Sequence, residues 1–359
     1  MRNLVIALGL LGLGAPAMAQ QAQPQPVAAA FDRKAALDAV AALADALEKR
    51  FVFPETARAY AAMLRAKLAA GAYAGIADAE TLANTVTADL QAVAADGHLR
   101  MRAPGGGAPV RGSGGAGTQP RRPDPIEQPG WIAPGVAYIR FNAFLGGDEA
   151  KQFAAFLDTH LGARTLIIDA RTHHGGGLDE MDQLFPRIFA KPQTVMVMDT
   201  RGDVGVFEIS DTVVAVEAPG DVRRSEHRVA PGADSPWRGA KIYYLTSGRT
   251  ASAGEHLATV FKYTGRATLI GETTAGAGNY GGSVELPGGY SAFIPVGHSY
   301  FPGTRGWEGT GVAPDIAVAP ERALVEALVR AGVAPAEAET LSASHVPGEP
   351  MVRRRPLRP

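Results

Sequence analysis

The chain has 359 residues, 46% of them hydrophobic, and its formal net charge of −1 argues against a nucleic-acid partner, because phosphate binding needs a concentrated excess of Lys and Arg. It contains no cysteine, which excludes disulfides, a thiolate nucleophile and a Cys-ligated zinc. A chain of this length can bury one large hydrophobic core and a smaller one.

Residues 1–19 have the pattern of a signal peptide. Arg2 precedes an apolar run over residues 4–13, and Ala17-Met18-Ala19 supplies the small residues after which a signal peptidase cleaves. The apolar run is too short to span a bilayer comfortably, and no later run reaches the roughly eighteen residues that would. We therefore expect an exported protein, periplasmic or secreted, with no stable membrane insertion after removal of this segment.

Residues 32–103 predict an N-terminal helical domain. Apolar side chains recur at steps of three and four in three stretches, which begin at Leu37, Tyr60 and Leu82. Pro54 separates the first two stretches and a glycine-containing segment, residues 71–75, separates the last two. The simplest arrangement is a small bundle of three helices.

Residues 104–130 are rich in glycine and then in proline, so they predict a linker with little apolar surface to bury. A glycine-rich phosphate loop is the alternative. No strand pattern precedes the segment and no Gly-Lys-Ser/Thr closes it, which argues against that alternative.

Residues 131–330 predict an α/β domain with a largely parallel sheet, because short β-type runs alternate with helical runs. The β-type runs cover residues 136–141, 165–169, 194–198, 241–246 and 268–271, and the helical runs lie near residues 149–160, 178–189, 253–263 and 321–330. Residues 283–296 predict antiparallel strands around a Gly288-Gly289 turn. Residues 331–359 form a C-terminal tail, whose basic cluster (Arg353, Arg354, Arg355 and Arg358) predicts a solvated end.

Ser252 is a candidate nucleophile because it lies between a β-type run and a helical run. A serine at such a turn can present its hydroxyl above the sheet, while the first free amides of the helix point toward negative charge that forms beside it. The alternative is a purely structural serine that caps the helix, which is the common role at this position.

Three other segments favour a catalytic role for this serine. Gly175 and Gly176 follow a strand of buried type, and consecutive glycines let backbone amides approach a ligand closely. His98 stands in a loop at the end of the helical domain, and Glu308 lies in a glycine-containing segment. An unperturbed imidazole titrates near neutral pH and can accept a serine proton, while a carboxylate can orient the imidazole or stabilise its charge.

His173 and His174 could serve as a base or as metal ligands. Adjacent residues cannot both face one site as an i, i+4 helical pair can, and the sequence contains no HExxH pattern. We therefore expect neither a metal nor another cofactor.

These segments together resemble the S41 peptidases, the family of the tail-specific proteases, the tricorn core protease and the interphotoreceptor retinoid-binding protein modules. The most specific matches are Thr250-Ala251-Ser252-Ala253-Gly254-Glu255, Gly271-Glu272-Thr273-Thr274-Ala275-Gly276 and Gly311-Val312-Ala313-Pro314-Asp315. The resemblance implies a ClpP/crotonase-like α/β spiral preceded by the helical bundle.

The same resemblance implies the roles of individual residues. Ser252 would be the nucleophile, and the backbone amides of Ala253, Gly175 and Gly176 would form the oxyanion hole. Tail-specific proteases use a lysine as base where Ala277 stands here, and their PDZ domain has no counterpart in this sequence. The chain therefore resembles the tricorn and retinoid-binding branch, in which His98 would be the base and Glu308 the supporting glutamate.

The expected function is hydrolysis of peptide bonds in short peptides or unfolded proteins through an acyl-enzyme on Ser252. A non-catalytic carrier of hydrophobic ligands on the same fold is one alternative, and an esterase acting on small substrates is another. The sequence does not predict an oligomeric state.

Overall fold

The computed structural model describes residues 31–105, 123–202, 204 and 212–353. The predicted signal peptide, most of the predicted linker and the last residues of the tail fall outside these ranges. Residues from Asp32 onward belong to one compact unit. Within the described ranges, no helix has the length and apolar character needed to cross a membrane.

The described residues form helices α1 (Arg33–Arg50), α2 (Pro54–Ala69), α3 (Ala79–Val93), α4 (Gly147–Thr159), α5 (Asp179–Ile188), α6 (Ala253–Thr264), α7 (Pro320–Arg330) and α8 (Pro335–Ala343). The strands are β1 (Arg100–Arg102), β2 (Ile126–Ala133), β3 (Val136–Phe141), β4 (Thr165–Asp169), β5 (Gln193–Arg201), β6 (Val213–Val216), β7 (Val222–Val229), β8 (Lys241–Thr246), β9 (Thr268–Gly271), β10 (Asn279–Glu285), β11 (Ser291–Tyr300) and β12 (Ile316–Ala317).

The predicted helical bundle is confirmed as α1, α2 and α3. Asp32 caps α1 by accepting a hydrogen bond from Ala35 N at 3.0 Å, and Asp78 caps α3 in the same way. Pro54 occupies the first position of α2, where a missing N–H costs nothing. The bundle is tied to the rest of the molecule by β1, which pairs antiparallel with β11.

A six-stranded sheet with the order β12-β9-β8-β4-β3-β2 forms the centre of the fold, and it is parallel except for the β2–β3 pair. Its four central strands, β3, β4, β8 and β9, are almost entirely buried. Leu166 and Ile168 pack into the larger core with α4 to α6, whereas Ile167 packs against α7. Because β4, β8 and β9 are parallel neighbours, the loops that follow them meet at one edge of the sheet.

A second sheet, ordered β1-β11-β5-β7-β6 with β10 paired to β11, is antiparallel throughout. The predicted hairpin around Gly288 and Gly289 is confirmed, and both glycines have positive φ angles of 68° and 76°. The run at residues 194–198 was expected in the parallel sheet. It lies in β5 of this second sheet instead, where it pairs antiparallel with the polar strand β7 on one side and with β11 on the other.

Three described segments depart from their sequence patterns. Part of the expected linker is the edge strand β2. It contains Pro129 and Gly130, residues that are typical of linkers but are tolerated in an edge strand. Within the expected tail, α8 buries Ala338. Arg353 was expected to be solvated, but it is only partly exposed and its guanidinium donates to Thr274 O at 2.5 Å.

Asp169, the last residue of β4, is fully buried and fixes the strand end from which the glycine turn departs. Its carboxylate accepts from Arg171 at 2.7 Å, from Arg140 at 3.2 Å and from the Tyr138 hydroxyl at 2.7 Å. Burial by itself would raise the pKa of Asp169, but the charges of Arg171 and Arg140 outweigh it and hold the pKa below its usual range. The Asp169 carboxylate is therefore ionised, and the two guanidinium groups balance its charge.

Asp169→Ala leaves two buried guanidinium groups without their shared counter-ion, so we expect a loss of about 3–5 kcal/mol in the free energy of unfolding. Urea denaturation measures it. Asp158→Ala is the matched control, because Asp158 pairs with Arg187 at 2.9 Å with a side chain that is 61% exposed. The control should change stability by less than about 1 kcal/mol. Equal small losses in both variants would contradict the role given to Asp169.

Candidate active site

Ser252 ends the turn that follows β8 and is the N-cap of α6. Its backbone has φ 55° and ψ −119°, a region that non-glycine residues rarely occupy. Backbone strain of this kind costs about 1–3 kcal/mol and persists only where the surroundings fix the chain. Here the Thr250 hydroxyl donates to Ala170 O at 2.8 Å, and Ala251 N donates to His173 O at 2.9 Å.

Glu255 holds this turn against the loop that follows β9. The carboxylate is fully buried and accepts four hydrogen bonds, from Ser252 N at 2.9 Å, Thr274 Oγ1 at 2.6 Å, Gly276 N at 2.6 Å and Ala277 N at 2.8 Å. Burial raises the pKa of Glu255, and the four donors oppose that rise. Because one donor comes from the serine turn and three come from the loop after β9, the carboxylate fixes the position of the serine relative to the loop.

The predicted glycine turn lies directly beside the serine. A Cβ built on Gly175 would be 2.7 Å from Ser252 Cβ and 3.1 Å from Ser252 Oγ. A Cβ built on Gly176 would be 1.7 Å from Phe144 O, and the two glycines have φ angles of 109° and 138°. Only glycine fits either position.

The amides available beside Ser252 are those of Gly176 and Ala253. Neither has a hydrogen-bond acceptor among the described residues. The Gly175 amide is engaged, since it donates to His173 Nδ1 at 3.0 Å. Burial lowers the pKa of His173 to about 3, so this imidazole stays neutral and acts as an acceptor that shapes the turn. It lies too deep to serve as a general base.

His98 lies in a loop whose position is fixed by a hydrogen bond to Glu308. Glu308 accepts from Gly97 N at 2.6 Å, from Gly278 N at 2.6 Å and from Asn279 N at 2.8 Å. A Cβ on Gly97 would lie 2.9 Å from Ala277 Cα. The glycine before His98 therefore permits close contact between the helical bundle and the core.

Asp96 is a member of the site to which the sequence pattern gave no role. Its Oδ1 accepts from the amides of His98 and Leu99 at 2.8 and 2.9 Å, and its Oδ2 accepts from Asn279 Nδ2 at 2.7 Å. An Asp side chain commonly accepts a hydrogen bond from the backbone amide two residues later, so the local sequence Asp96-Gly97-His98 could have indicated this contact. Nothing in the local sequence indicates the contact with Asn279, which lies 183 residues away.

One ligand atom each from Asp96, His98 and Glu308 lies within 4.8 Å of the others, a spacing that could hold a metal ion. All four carboxylate oxygens already accept hydrogen bonds from protein groups. Burial, together with the negative charge of Asp96, raises the pKa of Glu308 to about 8. The arrangement fits two carboxyl groups that hold a loop in place.

Ser252 and His98 line two adjoining cavities. The serine cavity, about 290 Å³, is bordered by Ser252, Ala253, His256, Asn279, Tyr280 and Trp307 among others. The histidine cavity, about 470 Å³, is bordered by Asp96, His98, His174, Arg249 and Glu308 among others. Ala277 belongs to both walls, so the two candidate catalytic side chains flank the same residue. The His98 ring stacks on Phe293 with ring centroids 5.3 Å apart.

The model of peptidase family S41 matches residues 135–318, which is more than half of the chain. The chain belongs to peptidase family S41. The model of the N-terminal domain of S41 peptidases in eukaryotic IRBP matches residues 29–121 of this S41 protein, which include α1, α2, α3 and the His98 loop.

Named relatives agree with the family assignment. A carboxyl-terminal-processing protease from Picosynechococcus sp. is 27% identical over 187 residues, which are 52% of this S41 chain and 40% of that protein. The chain thus spans two fifths of the length of this curated relative.

Two solved structures support the fold. A lipoprotein from Streptococcus agalactiae has a TM-score of 0.52 at 12% identity, with 86% of this chain and 99% of that chain covered. A photosystem II D1 C-terminal processing protease has a TM-score of 0.50 at 15% identity, with 87% and 98% covered. The mixed α/β fold that the resemblance implied is confirmed.

The raised pKa of Glu308 predicts a pH dependence of stability. The folded protein keeps a proton up to about pH 8 that the unfolded chain releases near pH 4.5, so this contribution is complete below pH 4.5 and is lost as the pH rises toward 8. Asp96→Asn removes the neighbouring charge, lowers the pKa of Glu308 and should make the loss of stability between about pH 5 and pH 8 shallower. Urea unfolding across this pH range measures the slope.

The control is Asp38→Asn, because Asp38 lies half exposed on α1 and pairs with Lys34. Buried histidines contribute a slope of opposite sign, but they do so in both variants, and the difference between the variants isolates Glu308. The same slope in Asp96→Asn and in the unmodified protein would contradict the coupling of the two carboxyl groups.

Proposed function

We propose that this chain is a serine peptidase in which Ser252 attacks the carbonyl carbon of a peptide bond. The observation that carries the proposal is the strained serine at the N-terminus of α6, beside two amides that have no acceptor in the described part of the chain. Membership of the S41 peptidase family supports the reaction class. The amides of Ala253 and Gly176 would donate to the oxyanion, and the positive end of the α6 dipole would favour the same charge.

His98 is the proposed general base. As the bond from Ser252 Oγ to the carbonyl carbon forms, the hydroxyl proton passes to the imidazole; as the C–N bond breaks, that proton passes to the leaving amine. A water molecule then attacks the ester carbonyl while His98 accepts its proton, and His98 returns that proton to Ser252 Oγ as the ester bond breaks. Glu308 would act through the backbone by holding Gly97, and so would position His98 rather than touch the substrate.

The proposed substrates are short peptides or unfolded proteins, whose extended backbone can pass between the serine cavity and the histidine cavity. The signal-peptide pattern of residues 1–19 supports a further proposal, that the enzyme acts in a periplasm or outside the cell. Expression with and without these residues, followed by fractionation, tests the location separately from the chemistry.

Ser252→Ala should abolish labelling by a fluorophosphonate probe and hydrolysis of peptides, while the thermal transition changes little. Loss of one capping hydroxyl costs only about 1 kcal/mol. Mass mapping of the labelled peptide identifies the nucleophile. Ser283→Ala is the matched control, because Ser283 is exposed on β10, and it should label normally. A folded, unmodified protein that takes no label would favour the ligand-carrier alternative.

His98→Ala should lower kcat by several orders of magnitude with a smaller change in KM, because the serine loses the group that accepts its proton. Steady-state peptide hydrolysis measures both constants. His160→Ala, at the end of α4, is the control histidine and should retain activity. Lys262→Ala should retain activity too, since Lys262 pairs with Asp315 at 2.5 Å on the outer side of α6. Full activity in His98→Ala together with loss in Lys262→Ala would overturn the assignment of the base.

A further inference from the structure

The serine cavity has the size and the place of a pocket for one substrate side chain. Its volume of about 290 Å³ is just below the range of about 300–1,000 Å³ for pockets that hold drug-sized ligands, which suits a single side chain. Gly176, Gly177, Gly278 and Gly281 contribute to its walls and leave room beside the reacting serine. A residue whose carbonyl carbon reaches Ser252 would place its side chain here.

His256 gives this cavity a polar wall that the proposed mechanism does not use. It lies one helical turn after the nucleophile, and its backbone amide donates to Ser252 O at 2.9 Å. Residues four apart on a helix share a face, so serine and imidazole border the same space. The side chain is 3% exposed, and it lines the cavity.

A buried chain of hydrogen bonds fixes the His256 ring. His256 Nε2 lies 3.1 Å from His227 Nδ1, and His227 Nε2 lies 3.1 Å from Asp182 Oδ1. An ionised carboxylate can only accept, so His227 donates its Nε2 proton to Asp182. A neutral His227 then accepts at Nδ1 from His256, which leaves His256 Nδ1 as an acceptor.

His256 itself stays neutral, because burial, and then the neighbouring His227, lower its pKa. Its second ring nitrogen, Nδ1, can therefore accept a hydrogen bond from a ligand, while the donor on the cavity wall is Trp307 Nε1.

Two further buried polar atoms in the cavity wall have no hydrogen-bond partner among the described residues. They are Asn279 Oδ1, an acceptor, and Trp307 Nε1, a donor. Both residues line the serine cavity, and they are 2% and 4% exposed. Buried polar atoms in folded proteins are nearly always paired, so this wall lacks a polar partner.

We propose that the serine cavity binds the substrate side chain that precedes the cleaved bond, and that His256, held by His227 and Asp182, makes it prefer an uncharged side chain with both a hydrogen-bond donor and an acceptor. The carboxamides of Gln and Asn fit best, and the hydroxyls of Ser and Thr belong to the same class. The inference rests on the proposed peptidase function and specifies its substrate.

Other side-chain classes fit the wall less well. An aliphatic side chain would leave His256 Nδ1 without a partner, and it would offer none to Asn279 Oδ1 and Trp307 Nε1, which are already shielded from water. A cationic side chain would need a carboxylate in contact with it, whereas two imidazoles separate Asp182 from the cavity. An anionic side chain would be buried beside a neutral ring unless a proton entered with it.

The test uses a peptide pool that varies only at the residue before the cleaved bond, with cleavage positions read by mass spectrometry. Gln, Met, Glu and Lys form a matched set of similar length. We expect kcat/KM for Gln to exceed that for Met by about tenfold or more, because a site built to form hydrogen bonds discriminates strongly against an analogue that cannot form them. Glu and Lys should be poorer than Gln.

Two variants and one control assign the preference to the imidazole. His256→Leu should reduce the Gln-to-Met ratio at least about tenfold, and the conservative His256→Gln should retain part of it. His160→Leu should leave the ratio unchanged. Fluorophosphonate labelling of each preparation reports separately whether Ser252 is active.

The outcomes separate the two proposals. Labelled enzyme that cleaves after Met as well as after Gln overturns the inference and leaves the peptidase proposal standing, whether or not the variants fold. A ratio that His256→Leu does not change overturns the role of His256. Unmodified protein that neither labels nor hydrolyses any peptide in the pool overturns the peptidase proposal, and the inference falls with it.

Discussion

The buried carboxylate of Glu255 is the constraint on which the site depends. It has no cationic partner among its four donors, which are three backbone amides and one hydroxyl. An ionised carboxylate in such a place is stable only while all its donors remain aligned. The amide of the strained Ser252 is one of those donors, so the energy that keeps the carboxylate buried also keeps the serine in its unusual conformation. Glu255, in the first turn of the helix that Ser252 caps, thus stabilises the strained backbone conformation of Ser252.

Glu308 also binds backbone amides through its carboxyl group, and it joins parts of the chain that are distant in sequence. Its donors are Gly97 from the loop that carries His98 and two amides from the loop after β9. Ala277, an amide partner of Glu255, borders both cavities. The two carboxyl groups therefore accept hydrogen bonds from four consecutive backbone amides, those of residues 276–279. This shared loop sets the spacing between the proposed base and the proposed nucleophile.

The sequence predicted those elements that are determined by residues close to one another along the chain. The period of apolar residues predicted the three bundle helices, and the alternation of strands and helices placed Gly175 and Ser252 after strands of one sheet. The roles of Glu255 and Asp96 depend on donors far along the chain, and a single sequence shows such pairings only through resemblance to a family. The engagement of the Gly175 amide by His173 depends on how deeply that imidazole is buried. The sequence pattern predicted neither β6 nor the polar strand β7, which is stabilised by pairing with β5.

The first turn of α6 concentrates chemistry and recognition in five consecutive residues. Ser252 carries the hydroxyl, Ala253 has an amide without an acceptor among the described residues, Glu255 binds the neighbouring loop, and His256 lines the serine cavity. Gly254 lets the helix lie close to His173, because a Cβ on Gly254 would be 2.7 Å from His173 Nδ1. Each position is fixed relative to the others by the same helical geometry. In the proposed reaction, a substrate side chain that satisfies His256 would be held one helical turn from the hydroxyl, so binding energy gained in the cavity would be available to orient the carbonyl toward Ser252. In this arrangement a poor side chain should reduce the rate of acylation as well as the affinity.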